Sequence, residues 1–104
     1  MKILITTINR IENARRIANS LIQSQLTPCV QILTGIESIY RWENKIETEI
    51  ECLLLIKTNI NCIKKVKDLI KDIHEYELPE FVMVNANIIS KEYEKWFNNN
   101  LLNE

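Results

Sequence analysis

Cysteine, histidine and glutamate are the side chains of this sequence best able to hold a soft or borderline metal, and the chain carries three cysteines and a single histidine. Thiolate and imidazole suit copper, and Cu(II) and zinc also tolerate carboxylate. Cys29 and His74, with Glu77 or Glu75, therefore form a candidate open metal site of low coordination, placed at a subunit boundary if the chain assembles. Spacing alone gives this no support, because Cys29 lies far along the chain from His74. The competing reading makes Cys29 a small buried hydrophobe on a strand and His74 a helix-terminal residue that satisfies carbonyls. Cys52 and Cys62 read as core or helix-face residues. Glu75, Glu77 and Glu80 form either a solvated loop or a weak collector of divalent cations. Lys57 either pairs with Glu47, Glu51 or Glu80, or binds an anion in an intersubunit cleft. Tyr40, Trp42 and Trp96 offer large surfaces for packing at a subunit contact or for stacking on a small ligand.

Composition narrows the classes. The chain has 104 residues, of which 46% are hydrophobic and 26% charged, enough apolar mass for one folded domain over residues 1–104. Its formal net charge of −1 lacks the basic excess of a nucleic-acid binder. The longest apolar run, Leu53 to Ile56, is far short of the ~20 residues of a membrane helix, so no membrane partner is expected. The first residues lack the long apolar core of a signal peptide, so no export is expected. An odd number of cysteines without CxxC spacing predicts reduced thiols in the cytoplasm rather than a disulfide framework or closed zinc site.

The elements that must position these residues follow from periodicity. Residues 3–8 are β-branched and continuous, a strand covered on both faces. Asn9 with Glu12 reads as a cap and its capping partner. Ile11, Ala14, Ile17, Ala18, Leu21 and Ile22 then recur at helical spacing as far as about Leu26. Pro28 hands over to a strand from Cys29 to Leu33, and Gly35 marks a turn or bulge. A run with Ile39, Tyr40 and Trp42 reaches a hairpin tip at Glu43–Asn44, where asparagine tolerates left-handed backbone. The return strand, 45–57, alternates at first, with Ile46, Thr48 and Ile50 against Glu47, Glu49 and Glu51, so that one side faces solvent. It then becomes apolar on both sides, as a central strand would. Thr58 or Asn59 caps a second helix with Ile60, Ile63, Val66, Leu69, Ile70 and Ile73 as its buried stripe, closed by His74. A polar loop from His74 to Glu80 leads to a strand at 81–84. Ser90 then caps a short helix carrying Tyr93, Trp96 and Phe97, frayed by the asparagine run at 98–100.

This order predicts an α+β, ferredoxin-like βαββαβ sandwich: an antiparallel sheet, a long hairpin between its second and third strands, and a C-terminal helix. Two helices cover only one sheet face, yet residues 53–56 and 3–5 are apolar in both registers. Oligomerisation resolves this by burying the open face and the hairpin; the alternative is that the terminal helix folds over that face. Two other users of this architecture fit poorly. An acylphosphatase needs a glycine-rich loop bearing arginine after the first strand, whereas Thr7-Ile8-Asn9-Arg10 has no glycine. An RNA-recognition module needs aromatics on its central strands.

Specific residues resemble the CutA divalent-cation tolerance family: Cys29-Val30-Gln31; Ser38-Ile39-Tyr40-Arg41-Trp42 with Lys45-Ile46-Glu47; Glu51 with residues 53–58; His74, Tyr76-Glu77 and Pro79-Glu80; and Tyr93 with Trp96. The resemblance spans nearly the whole chain. It implies a non-catalytic homotrimer, similar in architecture to PII signalling proteins and linked to copper and other divalent metals. On that reading Cys29, His74 and Glu77 are the metal candidates, for a divalent cation such as Cu(II) that is not tightly held. Lys57, Tyr40, Trp42, Tyr76, Glu80 and Trp96 are the cleft candidates. A PII-like sensor of a small anion at the intersubunit cleft is the alternative. The chain departs from the family pattern at Asn44 (usually Gly), Pro28 (usually a small residue) and Glu75 (usually Pro), the last adding a carboxylate beside His74.

Overall fold

The computed structural model describes residues 1–102. In chain order it contains β1 (Lys2–Ile8), α1 (Ile11–Gln23), β2 (Cys29–Trp42), β3 (Lys45–Thr58), α2 (Ile63–Ile73), β4 (Val82–Asn85) and α3 (Lys91–Asn99). The strands pair antiparallel in the order β2-β3-β1-β4, the ferredoxin-like arrangement. β3, apolar on both sides, has a partner on each edge, where such a strand is best covered.

Register sorts the side chains. Leu4 opposes Ile56, Thr6 opposes Leu54 and Ile8 opposes Cys52, and all six are buried. Against this face lie Ala14, Ile17 and Leu21 of α1 with Val66 and Ile70 of α2, all fully buried. Each large aliphatic side chain so buried contributes roughly 1.5–3 kcal/mol. Two expected members fall outside the stripe. Ile22 stands at the edge of α1, 41% exposed, and Ile60 lies in the turn ahead of α2, 59% exposed.

Helix ends follow local backbone demands. Asn59 does start the approach to α2, its Oδ1 accepting from the Cys62 N–H at 3.1 Å. Asn9 does not cap α1. Because β1 runs on through Ile8, Asn9 forms the bend and Arg10 takes the cap position, with no side-chain cap bond. Glu12 instead approaches the Arg10 guanidinium at 4.0 Å. The helix stops at Gln23, short of Leu26, as Gln25 turns left-handed with φ 58°. Ser90 caps α3 as expected, accepting from the Tyr93 N–H at 3.2 Å. The asparagine run extends that helix rather than fraying it: Asn99 is still helical, and Asn100 Nδ2 donates to the Trp96 carbonyl at 2.8 Å.

α3 docks into the main core through Phe97, and Leu101 just beyond it is buried too. The Leu102 N–H donates to the Gln25 carbonyl at 2.8 Å, tying this end to the segment before β2. The other sheet face holds Ile3, Ile5, Leu53 and Leu55 half-buried, with Leu33, Val82 and Val84 exposed. Among the described residues no helix is long and apolar enough to cross a membrane.

β2 and β3 continue far past the helices. Gly35, at φ +70°, makes the bulge between Leu33 and Ile36, and the chain reverses at Glu43 (φ 50°) and Asn44 (φ 66°), a two-residue tip with both centres left-handed. Exposure differs between the two faces of the hairpin. Ile39, Ile46 and Ile50 are 65%, 71% and 61% exposed, whereas Glu51 is 6% exposed. No helix reaches over the isoleucine side beyond the bulge, while the loop after α2 folds over the carboxylate side.

Candidate functional site

A groove of about 800 Å³ lies between the projecting hairpin and the loop that joins α2 to β4. Strand register builds one wall. The pairs Tyr40–Glu47, Ser38–Glu49 and Ile36–Glu51 place Tyr40 and three carboxylates on one hairpin face, with Trp42 opposite Lys45 at its tip. The loop supplies the other wall with Glu75, Tyr76, Glu77, Leu78 and Glu80, and Thr7 at the end of β1 also lines it.

The loop has no strand pairing of its own, so side chains hold it. His74 Nε2 lies 2.7 Å from the Thr7 carbonyl, and the Tyr76 N–H donates to His74 Nδ1 at 3.1 Å. The neutral imidazole protonated on Nε2 satisfies both contacts at once. The Tyr76 ring meets the His74 ring edge-on, centroids 4.7 Å apart, and its hydroxyl donates to Glu51 Oε2 at 2.5 Å. That bond accounts for the buried carboxylate, since an ionised group is rarely buried without a partner.

Charge in the groove is one-sided: six glutamates line it against Arg41. The tyrosines respond. The phenol of Tyr40 is pushed up to about 12, chiefly by hydrogen bonding to Glu49, then by desolvation and the surrounding negative charge. The Tyr76 phenol is raised further, first by burial and then by Glu51. Both remain neutral donors at physiological pH, leaving the negative charge on the carboxylates.

The sequence-derived candidates divide between the two ends of the sheet. Tyr40, Trp42, Tyr76, Glu77 and Glu80 line the groove. Lys57, Trp96 and Cys29 do not. Cys29 opposes Lys57, which opposes Ile3, whereas His74 holds Thr7, four residues further along β1. At about 3.3 Å per residue that is roughly 13 Å along the strands, with two strand spacings across. Within one chain Cys29 therefore does not meet His74 and Glu77, and among the described residues no group of three or more metal-capable side chains converges. Lys57 is likewise out of reach of Glu47, Glu51 and Glu80. It stands over the Tyr93 ring instead, Nζ 5.9 Å from the centroid. All three cysteines are free thiols, with Cys52 and Cys62 buried as expected.

Glu47, Glu49 and Glu51 line the site and Asn13 braces it through Glu75, and none of the four is a site candidate from the sequence. The strict alternation of 46–51 placed the glutamates on one face, but nothing in it told which face would be covered. Asn13, on α1, donates from Nδ2 to Glu75 Oε1 at 2.8 Å, a contact that spacing does not disclose.

The fold is thus an antiparallel α+β sandwich with a projecting hairpin and an acidic, aromatic groove. Residues 2–100 match the model of the family described as CutA1 divalent ion tolerance protein. The chain belongs to that family, which is non-catalytic. It is 35% identical over 99 residues to the divalent-cation tolerance protein CutA of Thermus thermophilus, covering 95% of this chain and 96% of that protein. It is also 36% identical over 101 residues to the chloroplastic CutA of Arabidopsis thaliana, covering 97% of this chain and 55% of that one, so it spans about half that relative's length. Solved structures agree. The Thermus thermophilus protein superposes with a TM-score of 0.91 at 35% identity, covering 97% of this chain and 99% of that one. CutA1 of Oryza sativa gives 0.94 at 33% identity, covering 99% and 94%.

Proposed function

We propose that this chain acts as a cytoplasmic homotrimer that binds divalent cations, copper(II) first among them, and contributes in that way to divalent-cation tolerance. The observation that carries the cation reading is the groove itself, whose opposing walls present Glu47, Glu49 and Glu51 on one side and Glu75, Glu77 and Glu80 on the other. Such a lining attracts cations and repels anions. Assembly is supported by Ile39, Ile46 and Ile50, an apolar stripe more than half exposed on a hairpin that a lone chain leaves uncovered. The ligand set to test is Cys29, His74 and Glu77. Drawn from one chain it is too far apart, so Cys29 of one subunit would complete a site begun by His74 and Glu77 of the next. His74 must then release either the Tyr76 N–H or the Thr7 carbonyl.

Lys57 favours a second reading. It has no carboxylate partner among the described residues and lies beside Cys29 at the opposite end of the sheet, where a small anion would find a half-buried positive charge. This is the PII-like alternative. Calorimetry with Cu(II), Zn(II), nucleotides and dicarboxylates separates the two. Copper binding weakened by Cys29→Ala, His74→Ala or Glu77→Gln supports the named ligands, and unchanged affinity in all three removes them. Anion binding abolished by Lys57→Ala, with no response to copper, replaces the cation reading.

A further inference from the structure

We propose that Asn13 of α1 is the positioning residue of the groove, acting through Glu75 to hold the loop over Glu51. Three consecutive loop residues reach three different elements. His74 Nε2 meets the Thr7 carbonyl of β1, Glu75 Oε1 accepts from Asn13 Nδ2 of α1 at 2.8 Å, and Tyr76 Oη donates to Glu51 of β3. The His74 and Tyr76 contacts are part of the groove wall itself. Asn13 is not: it lines no part of the groove and touches it only by way of Glu75. With no ladder to hold residues 75–80, the loop's position is the sum of these few bonds, so releasing one end lets the next residue swing. Tyr76 follows Glu75 directly, and its N–H and hydroxyl are both engaged, so Tyr76 reports whether the latch is closed.

The inference rests on the groove being the binding site, and the test reads the two separately. Amide hydrogen exchange of Tyr76 is measured by NMR in the assembled protein, alongside Cu(II) calorimetry on the same samples. Asn13→Ala and Glu75→Ala are each expected to speed Tyr76 exchange about two- to fivefold, the loss of one exposed hydrogen bond. The double variant is expected to go no further than either single one, because both remove the same bond. Glu75→Gln keeps the accepting oxygen and is expected to exchange like the parent. Unchanged exchange in Asn13→Ala, or additive effects in the double variant, overturns the latch whatever copper does. Should the parent take up no copper, the cation reading falls while the exchange data still decide the latch.

Discussion

Tyr76 and Glu51 together show how one bond sets the character of the groove. Glu51 sits 6% exposed on the strand, and the Tyr76 hydroxyl is its side-chain partner. Tyr76→Phe keeps the ring against His74 and removes only that donor. The expected loss is about 1–3 kcal/mol, the cost of leaving a buried acceptor unpaired, read as a lower midpoint in urea unfolding. Glu51→Gln in the same background should recover part of it, since an amide is cheaper to bury than a carboxylate. Tyr40 provides a pH test. Its folded phenol lies at about 12, above the ordinary 10.0. A raised value favours the neutral form, so this group's contribution is whole below pH ~10 and is lost as pH rises from there towards 12. Ultraviolet titration should find one exposed tyrosine ionising late, and Glu49→Gln should bring it back towards 10.0.

At the scale of elements, the bulge and the tip shape the hairpin that carries half the groove. Gly35 has φ +70° and no atom within 4 Å of where a Cβ would stand. Gly35→Ala therefore meets backbone strain but no clash, an expected cost of about 1–2 kcal/mol by denaturant titration. Gly35→Val should cost more, because a β-branched side chain tolerates left-handed backbone least. At the tip, Asn44 at φ 66° makes Asn44→Gly neutral or slightly stabilising, while Asn44→Val should weaken the hairpin. α1 and α2 depend on burial rather than caps: neither has a side-chain bond from its cap residue, yet α1 buries Ala14, Ile17 and Leu21 and α2 buries Val66 and Ile70.

The whole molecule is shaped by what a single chain leaves uncovered. Its principal extents are 46 × 27 × 20 Å, elongated by a hairpin whose isoleucines Ile39, Ile46 and Ile50 are mostly exposed. On the proposed trimer, Ile46→Glu with Ile50→Glu should reduce the mass seen by light scattering to that of one 12.3 kDa chain while the helical circular dichroism persists. A stable monomer of the parent at micromolar concentration would remove the proposed trimer and the proposed shared Cys29 site with it. It would leave the acidic groove, all of whose walls come from one chain.

Periodicity and turn chemistry sufficed for the element order, the central place of 53–56, the bulge at Gly35, the tip at Glu43–Asn44 and the Ser90 cap, because each depends on a few neighbouring residues. The packed positions of α1 and α2 could be read for the same reason, apart from Ile22 and Ile60 at their margins. Distance in space was beyond that reach. Alternation put Glu47, Glu49 and Glu51 together on one face, but only the path of the 74–80 loop decided that this face would be covered and the isoleucines bare. Composition marked Cys29 and His74 as ligands of the right chemistry, yet strand register sent them to opposite ends of the sheet. Local order arises from short-range sterics and side-chain period, whereas a site is made by pairing between strands distant in sequence, which no window of residues encodes.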